Sequence, residues 1–419
     1  VPEDPLGAAG VLMDLATATA SLPVVGRWLR PLGPATAMGI WGYRHLPAFA
    51  ATSARGLTPG AVMSRARAVR GAAEVYERAL IDTLVASRTG PDAGRPGRWS
   101  VLSPLTITGL HHRYAVQTGI PYGPDPAHRL DIWRRRDLPV NAAAPVLLYF
   151  PGGGWVYGSR RLQAHQMLAH LADQGWVCVS ADYRVAPHHP WPAHIHDVKR
   201  AIAWTKGSVA GYGGDPGFLA VSGCSAGGHL ASLAGLTAND PAFQPDVPGV
   251  DTSVDAVVSI YGRYDWEGRV GEERSRFMAF LERVVVQRRQ AAVPETFRAA
   301  SPIARVHLDA PPFLVIHGLA DTIIPVAQAR EFVSALRGVS KAPVVYAELP
   351  GAGHGFDLVH NERTAVTAAA VQRFLEAVRS TPRRPARAGK RTAQKAASGK
   401  SGRVRAGRGV TGRGRLRTA

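Results

Sequence analysis

Ser225, Asp321 and His354 are the residues whose types and order could carry chemistry in this chain. Ser225 is central to Gly223-Cys224-Ser225-Ala226-Gly227. That pentapeptide follows the apolar run Phe218–Ser222 and precedes the helix-forming stretch Gly228–Leu236. G-x-S-x-G between a strand and a helix is a tight turn that holds a serine hydroxyl out at the edge of a sheet. Its flanking positions must be small, because a side chain there would meet the neighbouring strand and helix. A hydroxyl becomes a useful nucleophile only when a base removes its proton, and the base needs a carboxylate to fix its tautomer. Asp321 follows Phe313–Gly318, and His354 lies just beyond the last apolar run, in Gly351-Ala352-Gly353-His354-Gly355-Phe356. Asp357 competes with Asp321, but it stands too near His354 in sequence to orient it easily. A fourth part would hold negative charge on a substrate oxygen. Pro151-Gly152-Gly153-Gly154-Trp155 follows the run Val146–Phe150, and its glycines let backbone N–H groups turn inward.

These residues need an open, mostly parallel sheet to bring strand-end loops together. Strands are expected near 113–118, 129–134, 146–150, 176–181, 218–223, 256–261, 312–317 and 343–348, the first two antiparallel. Helices are expected near 162–174, 195–206, 227–237, 326–337 and 362–378. The organisation divides into a helical region over 1–99, a catalytic domain over 100–380, and a basic, low-complexity tail over 381–419. In the first, Ala72, Val75, Tyr76, Ala79, Leu80 and Leu84 recur at helical spacing. Residues 1–99 could join a cap or touch a membrane surface, with packing on the body favoured. Residues 263–300 interrupt the alternation and are a candidate cap insertion, with Trp266, Phe277, Met278, Phe280 and Leu281 set among charges.

The chain of 419 residues carries a formal charge of +19. Thirteen Lys/Arg and no Asp/Glu fall in 381–419, leaving +6 for the rest, so the high pI does not mark the whole protein as nucleic-acid-binding. The tail suits contact with anionic surfaces but has no aromatic residue for base stacking. Two cysteines, Cys178 and Cys224, cannot form a disulfide framework and read as packed residues. His188, His189, His194 and His196 are separated by prolines and read as a solvated loop without a common metal-ligand face; no metal or cofactor is expected. His229 reads as a packed helix residue and His317 as an end-of-strand residue. The N-terminus lacks the basic region of a secretory signal, and Asp14 and Pro23 interrupt the apolar stretch Leu6–Gly26, so no transmembrane span is expected. The first residue, Val1, suggests an alternative initiation codon or a truncation. The expected location is cytoplasmic or peripheral to the cell envelope.

Together these motifs resemble the hormone-sensitive-lipase-like (family IV) carboxylesterases of the α/β-hydrolase class, akin to actinobacterial Lip esterases. The match runs over about 105–378 and rests on Pro151–Trp155, Asp182-Tyr183-Arg184-Val185-Ala186-Pro187, the Ser225 turn with Gly228-His229-Leu230, Asp321 before Thr322-Ile323-Ile324-Pro325-Val326, and Gly353-His354-Gly355-Phe356. The resemblance implies an α/β-hydrolase fold: a mostly parallel eight-stranded sheet with helices on both faces and a helical cap. It implies Ser225 as nucleophile, His354 as base, Asp321 as orienting acid, and Gly153, Gly154 and Ala226 as the oxyanion hole. The substrate would be a small acyl ester, cleaved through an acyl-enzyme. Asp182, Tyr183 and Arg184 would brace the turn behind the oxyanion loop. The alternatives are an amidase of the formamidase type and a catalytically inactive hydrolase fold that serves as a binding protein. One position departs from the family: Pro151 replaces the histidine that usually precedes the triple glycine and braces its loop through side-chain hydrogen bonds, so altered loop rigidity is expected.

Overall fold

Short apolar runs bounded by turn residues become strands buried on both faces, the demand of a parallel sheet covered by helices on each side. The computed structural model describes residues 59–84, 104–268, 274–358 and 362–381. Its strands are β1 Ala115–Pro121, β2 Arg129–Trp133, β3 Ala144–Phe150, β4 Val177–Ala181, β5 Gly214–Cys224, β6 Ala256–Ile260, β7 Phe313–Gly318 and β8 Val344–Leu349. Every residue of β3, β4, β6 and β7 is buried. The eight strands form one sheet in the order β1-β2-β4-β3-β5-β6-β7-β8. β2 pairs antiparallel with β1 and β4, and all later pairings are parallel.

Along the chain the helices are α1 Pro59–Leu84, α2 Pro104–Tyr114, α3 His165–Asp173, α4 Ala193–Ser208, α5 Ala226–Leu236, α6 Arg274–Phe280, α7 Pro294–Ala299, α8 Val326–Val339 and α9 Glu362–Ser380. A five-residue π-helical turn, Leu281–Val285, continues α6. The sheet separates two apolar cores. On one side Ile195, Leu230, Leu233, Phe332 and Leu336 from α4, α5 and α8 pack together with Met278, Leu281 and Val285. On the other, Tyr76, Leu110, Leu168, Val371 and Phe374 from α1, α2, α3 and α9 close the opposite face. Burying each such side chain contributes roughly 1.5–3 kcal/mol.

The helical stripe read at Ala72, Tyr76 and Leu80 is the buried face of α1, and Tyr76 Oη donates to Thr367 Oγ1 of α9 at 3.0 Å. Residues 1–58 and 85–103, with the rest of the expected N-terminal region, lie outside the described residues, as does the tail from 382. α2 was not expected, and it carries the chain through Tyr114, so β1 begins two residues later than the apolar pattern suggests. Among the described residues no helix is long and apolar enough to cross a membrane.

Candidate active site

The loops that leave the C-terminal ends of β3, β5, β7 and β8 carry the residues singled out by type and spacing. Between β5 and α5, Ser225 has φ 53° and ψ −117°, a backbone conformation that costs on the order of 1–3 kcal/mol and persists only where the surroundings enforce it. Two hydrogen bonds do so: Ser225 N–H donates to Ile260 O at 2.9 Å, and its carbonyl accepts from His229 N–H at 3.0 Å. The need for glycine beside the serine is equally concrete. A Cβ on Gly227 would stand 2.1 Å from the carbonyl oxygen of Phe150 in the neighbouring strand.

His354 reaches Ser225 from the loop after β8, its Nε2 lying 3.0 Å from Ser225 Oγ. The other ring nitrogen, Nδ1, is 2.7 Å from Asp321 Oδ2. Asp321 Oδ1 accepts the N–H groups of Ile323 and Ile324, each at 2.9 Å, which turns Oδ2 toward the imidazole. Its side chain has no accessible surface. Burial alone would raise this carboxyl's pKa, but hydrogen bonds from His317 and His354 outweigh that effect and hold it below the usual carboxylate range. An ionised Asp321 can only accept a hydrogen bond, so this contact calls for a proton on His354 Nδ1 and a lone pair on the Nε2 that faces Ser225 Oγ.

His317 is more than an end-of-strand residue. Its Nε2 donates to Ile324 O at 2.9 Å and lies 3.3 Å from Asp321 Oδ2. The four-residue spacing to Asp321 was visible in the sequence, but nothing local showed that the turn after β7 folds back on it. Asp357 is buried and accepts the Tyr261 hydroxyl, while the Tyr261 ring packs 4.7 Å from the His354 ring. Asp321, not Asp357, is the carboxylate in contact with His354.

After β3 the chain turns sharply through Gly153 (φ 137°), Gly154 (φ 60°) and Trp155 (φ 61°). A Cβ on Gly153 would stand 2.3 Å from Tyr157 O, so the turn admits only glycine there. Val156 and Tyr157 donate to Gly153 O at 3.2 and 3.0 Å. Among the described residues the N–H groups of Gly153, Gly154 and Ala226 form no hydrogen bond with the protein. Tyr183 Oη donates to Pro151 O at 2.8 Å, and Asp182 accepts from Arg160 N–H at 2.6 Å, so the Asp182–Tyr183 pair braces this loop.

Trp155 is gripped from both sides. Its indole N–H donates to His229 Nδ1 at 3.1 Å, and His229 Nε2 donates onward to Ala300 O at 2.7 Å. The Trp155 carbonyl accepts from His194 Nε2 at 3.0 Å. His194 was expected in a solvated loop; instead α4 begins at Ala193, directly after Pro192, and His194 is wholly buried. The prolines shape the approach to this helix without preventing its first turn. Lys199 of α4 donates to Ala234 O at 2.9 Å and Thr237 O at 2.6 Å, satisfying carbonyls at the C-terminal end of α5, whose opposite end begins at Ser225. Among the described residues no group of three or more His, Cys, Asp or Glu is placed to hold a metal ion.

A serine in a strained turn after a parallel strand, with histidine and carboxylate on later strand-end loops of an eight-stranded sheet, defines an α/β-hydrolase. Comparison with known proteins is specific. The chain is 54% identical to the esterase LipC of Mycobacterium tuberculosis (strain ATCC 25618 / H37Rv) over 372 residues, 88% of this chain and 91% of that protein. It is 46% identical to the probable carboxylic ester hydrolase LipM of the same strain over 339 residues, 79% of this chain and 78% of LipM. The BD-FAE family matches residues 130–336. Among solved structures, a truncated carbohydrate esterase from gut microbiota superposes with a TM-score of 0.56 at 25% identity, over 64% of this chain and 98% of that one. The chain belongs to the hormone-sensitive-lipase-like carboxylesterases, with the actinobacterial Lip esterases, and is a carboxylic ester hydrolase.

Proposed function

We propose that the ester is cleaved through a Ser225-Asp321-His354 triad and an acyl-enzyme. The observation that carries this reading is the double contact of His354, 3.0 Å to Ser225 Oγ and 2.7 Å to Asp321 Oδ2. His354 Nε2 takes the hydroxyl proton as Ser225 Oγ attacks the ester carbonyl. The carbonyl π electrons move onto oxygen, and the N–H groups of Gly153, Gly154 and Ala226 receive that charge. Asp321 stabilises the imidazolium without accepting its proton. His354 then protonates the departing alkoxide as the tetrahedral centre collapses to the acyl-serine. Water enters, loses a proton to His354, and releases the acid and Ser225 by the reverse sequence.

On the same reading, Arg274–Val285 belongs to a cap that forms one wall of the substrate site. Phe280 Cζ lies 3.8 Å from where a Cβ on Gly154 would stand, and Trp191 N–H donates to Val285 O at 2.8 Å. The substrate is a small acyl ester, the basic tail serves as a contact for anionic surfaces, and the enzyme works in the cytoplasm or at the periphery of the envelope. The test of the triad is covalent labelling with a fluorophosphonate. Wild type should incorporate one label at Ser225, and Ser225→Ala should lose both labelling and about 10⁶-fold in kcat while keeping its thermal transition. Undiminished turnover by Ser225→Ala would overturn the assignment.

A further inference from the structure

Pro151 has no side-chain hydrogen-bonding group, and the glycine loop is held instead at its next residue, Gly152. The carboxamide of Gln163 faces the backbone of Gly152. Gly152 N–H donates to Gln163 Oε1 at 2.7 Å, and Gln163 Nε2 donates to Gly152 O at 3.2 Å. The same Oε1 accepts from Cys224 Sγ at 3.1 Å, and Cys224 Sγ contacts Tyr149 Oη at 3.1 Å. Cys224 immediately precedes the nucleophile. We infer that Gln163 is a positioning residue for the oxyanion loop, clamping Gly152 and tying it to the nucleophile turn; this rests on the assignment of Gly153 and Gly154 as oxyanion donors.

The chemistry of the side chain suits the task. A primary amide presents one carbonyl and one NH₂, so it can pair with both backbone groups of one residue as a neighbouring strand would, and its oxygen has a second lone pair for the thiol. Glutamate would keep the acceptor and lose the donor; leucine would lose both. Gly152 has no slack to absorb the loss by moving inward, because a Cβ on it would stand 2.7 Å from Cys224 O and 3.0 Å from Ser225 Cβ. Movement of Gly152 is therefore movement of the next two amides relative to Ser225 Oγ. With Gly152 N–H occupied by Gln163, the amides of the glycine loop left to meet a developing oxyanion, beside that of Ala226, are those of Gly153 and Gly154. Gln163 itself is only half-buried, so its hydrogen bonds, rather than apolar packing, define its part in the fold.

Oxyanion donors act on charge that exists only near the transition state, so their misplacement lowers kcat and leaves KM nearly unchanged. The experiment compares wild type, Gln163→Leu and Gln163→Glu on p-nitrophenyl butyrate, with Ki for a trifluoromethyl ketone (a tetrahedral mimic) and for butyramide (a ground-state mimic). Gln163→Leu should lose about 10²-fold in kcat, with KM within threefold. Ketone binding should weaken in step with kcat, and amide binding should hold. Gln163→Glu should fall between, and it decides the matter should the leucine variant fail to fold. Wild-type kcat in folded Gln163→Leu or Gln163→Glu would overturn the proposal, as would parallel weakening of ketone and amide. Ser225→Ala separates the two assignments: an inactive Ser225→Ala beside a fully active Gln163→Leu refutes the clamp alone, whereas an active Ser225→Ala refutes the triad.

Discussion

Lowering the pH from 7 to 5 should destabilise the folded protein by about 4 kcal/mol through the two histidines that grip Trp155. Burial pulls the His229 pKa from 6.5 down to about 3 and the His194 pKa down to about 4; their backbone hydrogen bonds oppose this only in part. The geometry gives the reason. His229 Nδ1 accepts the Trp155 indole N–H, so a proton there would set two donors against each other. His194 Nδ1 is buried with no hydrogen-bond partner, so its protonation would bury an unpaired N–H. In the unfolded chain both rings protonate near their ordinary value, about 6.5. Between that pH and the folded values the unfolded state binds more protons, and stability is lost as the pH falls. At pH 5 each ring has lost roughly 2 kcal/mol relative to pH 7, a large part of a typical margin of about 5–15 kcal/mol. Asp321, held low in the fold, extends the loss below the ordinary carboxylate range. The assay is urea unfolding at pH 7, 6 and 5, followed by tryptophan fluorescence. His229→Gln keeps a donor and an acceptor but cannot titrate there, so its loss over the same interval should be about half that of wild type. Equal wild-type stability at pH 7 and 5, or a His229→Gln profile parallel to wild type, would refute the reasoning.

Replacing Asp321 by Asn should cost about 10⁴-fold in kcat with little change in KM, because the amide favours the wrong imidazole tautomer; steady-state kinetics on a short-chain ester checks this. Gly227→Ala should destabilise by on the order of 3 kcal/mol or more, since the obstruction is the backbone carbonyl of Phe150 at 2.1 Å; the urea midpoint measures it. Phe280→Ala should shift the ratio of kcat/KM for octanoate over butyrate esters upward by about tenfold by opening the wall above Gly154, as read from a p-nitrophenyl ester series.

What could be read from sequence was what local pattern encodes. β3, β4, β6 and β7 are apolar at nearly every position because helices cover both faces, and such runs stand out from their surroundings. Ser225, Asp321 and His354 each follow such a run, so strand ends located them. α2 escaped notice because Pro104–Tyr114 mixes β-branched residues with His111, His112 and Arg113 and has no clean apolar stripe. The contacts of His194, His229, Tyr261, Asp357 and Gln163 were invisible for another reason. Tyr261 meets Asp357 across 96 residues, and His229 meets Ala300 across 71. Such pairings depend on how loops from separate strands settle together, and no residue spacing records that.

The parallel ladder itself extends into the site and explains how strained loops stay in register. Ser225, the first residue past β5, donates its N–H to Ile260 O at the end of β6 at 2.9 Å. Tyr261, the first past β6, has φ 38° and donates to Ile316 O of β7 at 2.7 Å. Leu319, the first past β7, donates to Leu349 O at the end of β8 at 3.0 Å. Each strand thus fixes the first residue of the loop on its neighbour, in a chain from the nucleophile turn through the ring beside His354 to the turn that carries Asp321. Strain at Ser225 and Tyr261 is offset by bonds that a relaxed backbone would have to break. A substitution that lets either residue leave its positive-φ conformation would therefore release local strain and still disorganise the site, because a carbonyl of the next strand, Ile260 O or Ile316 O, would lose its partner.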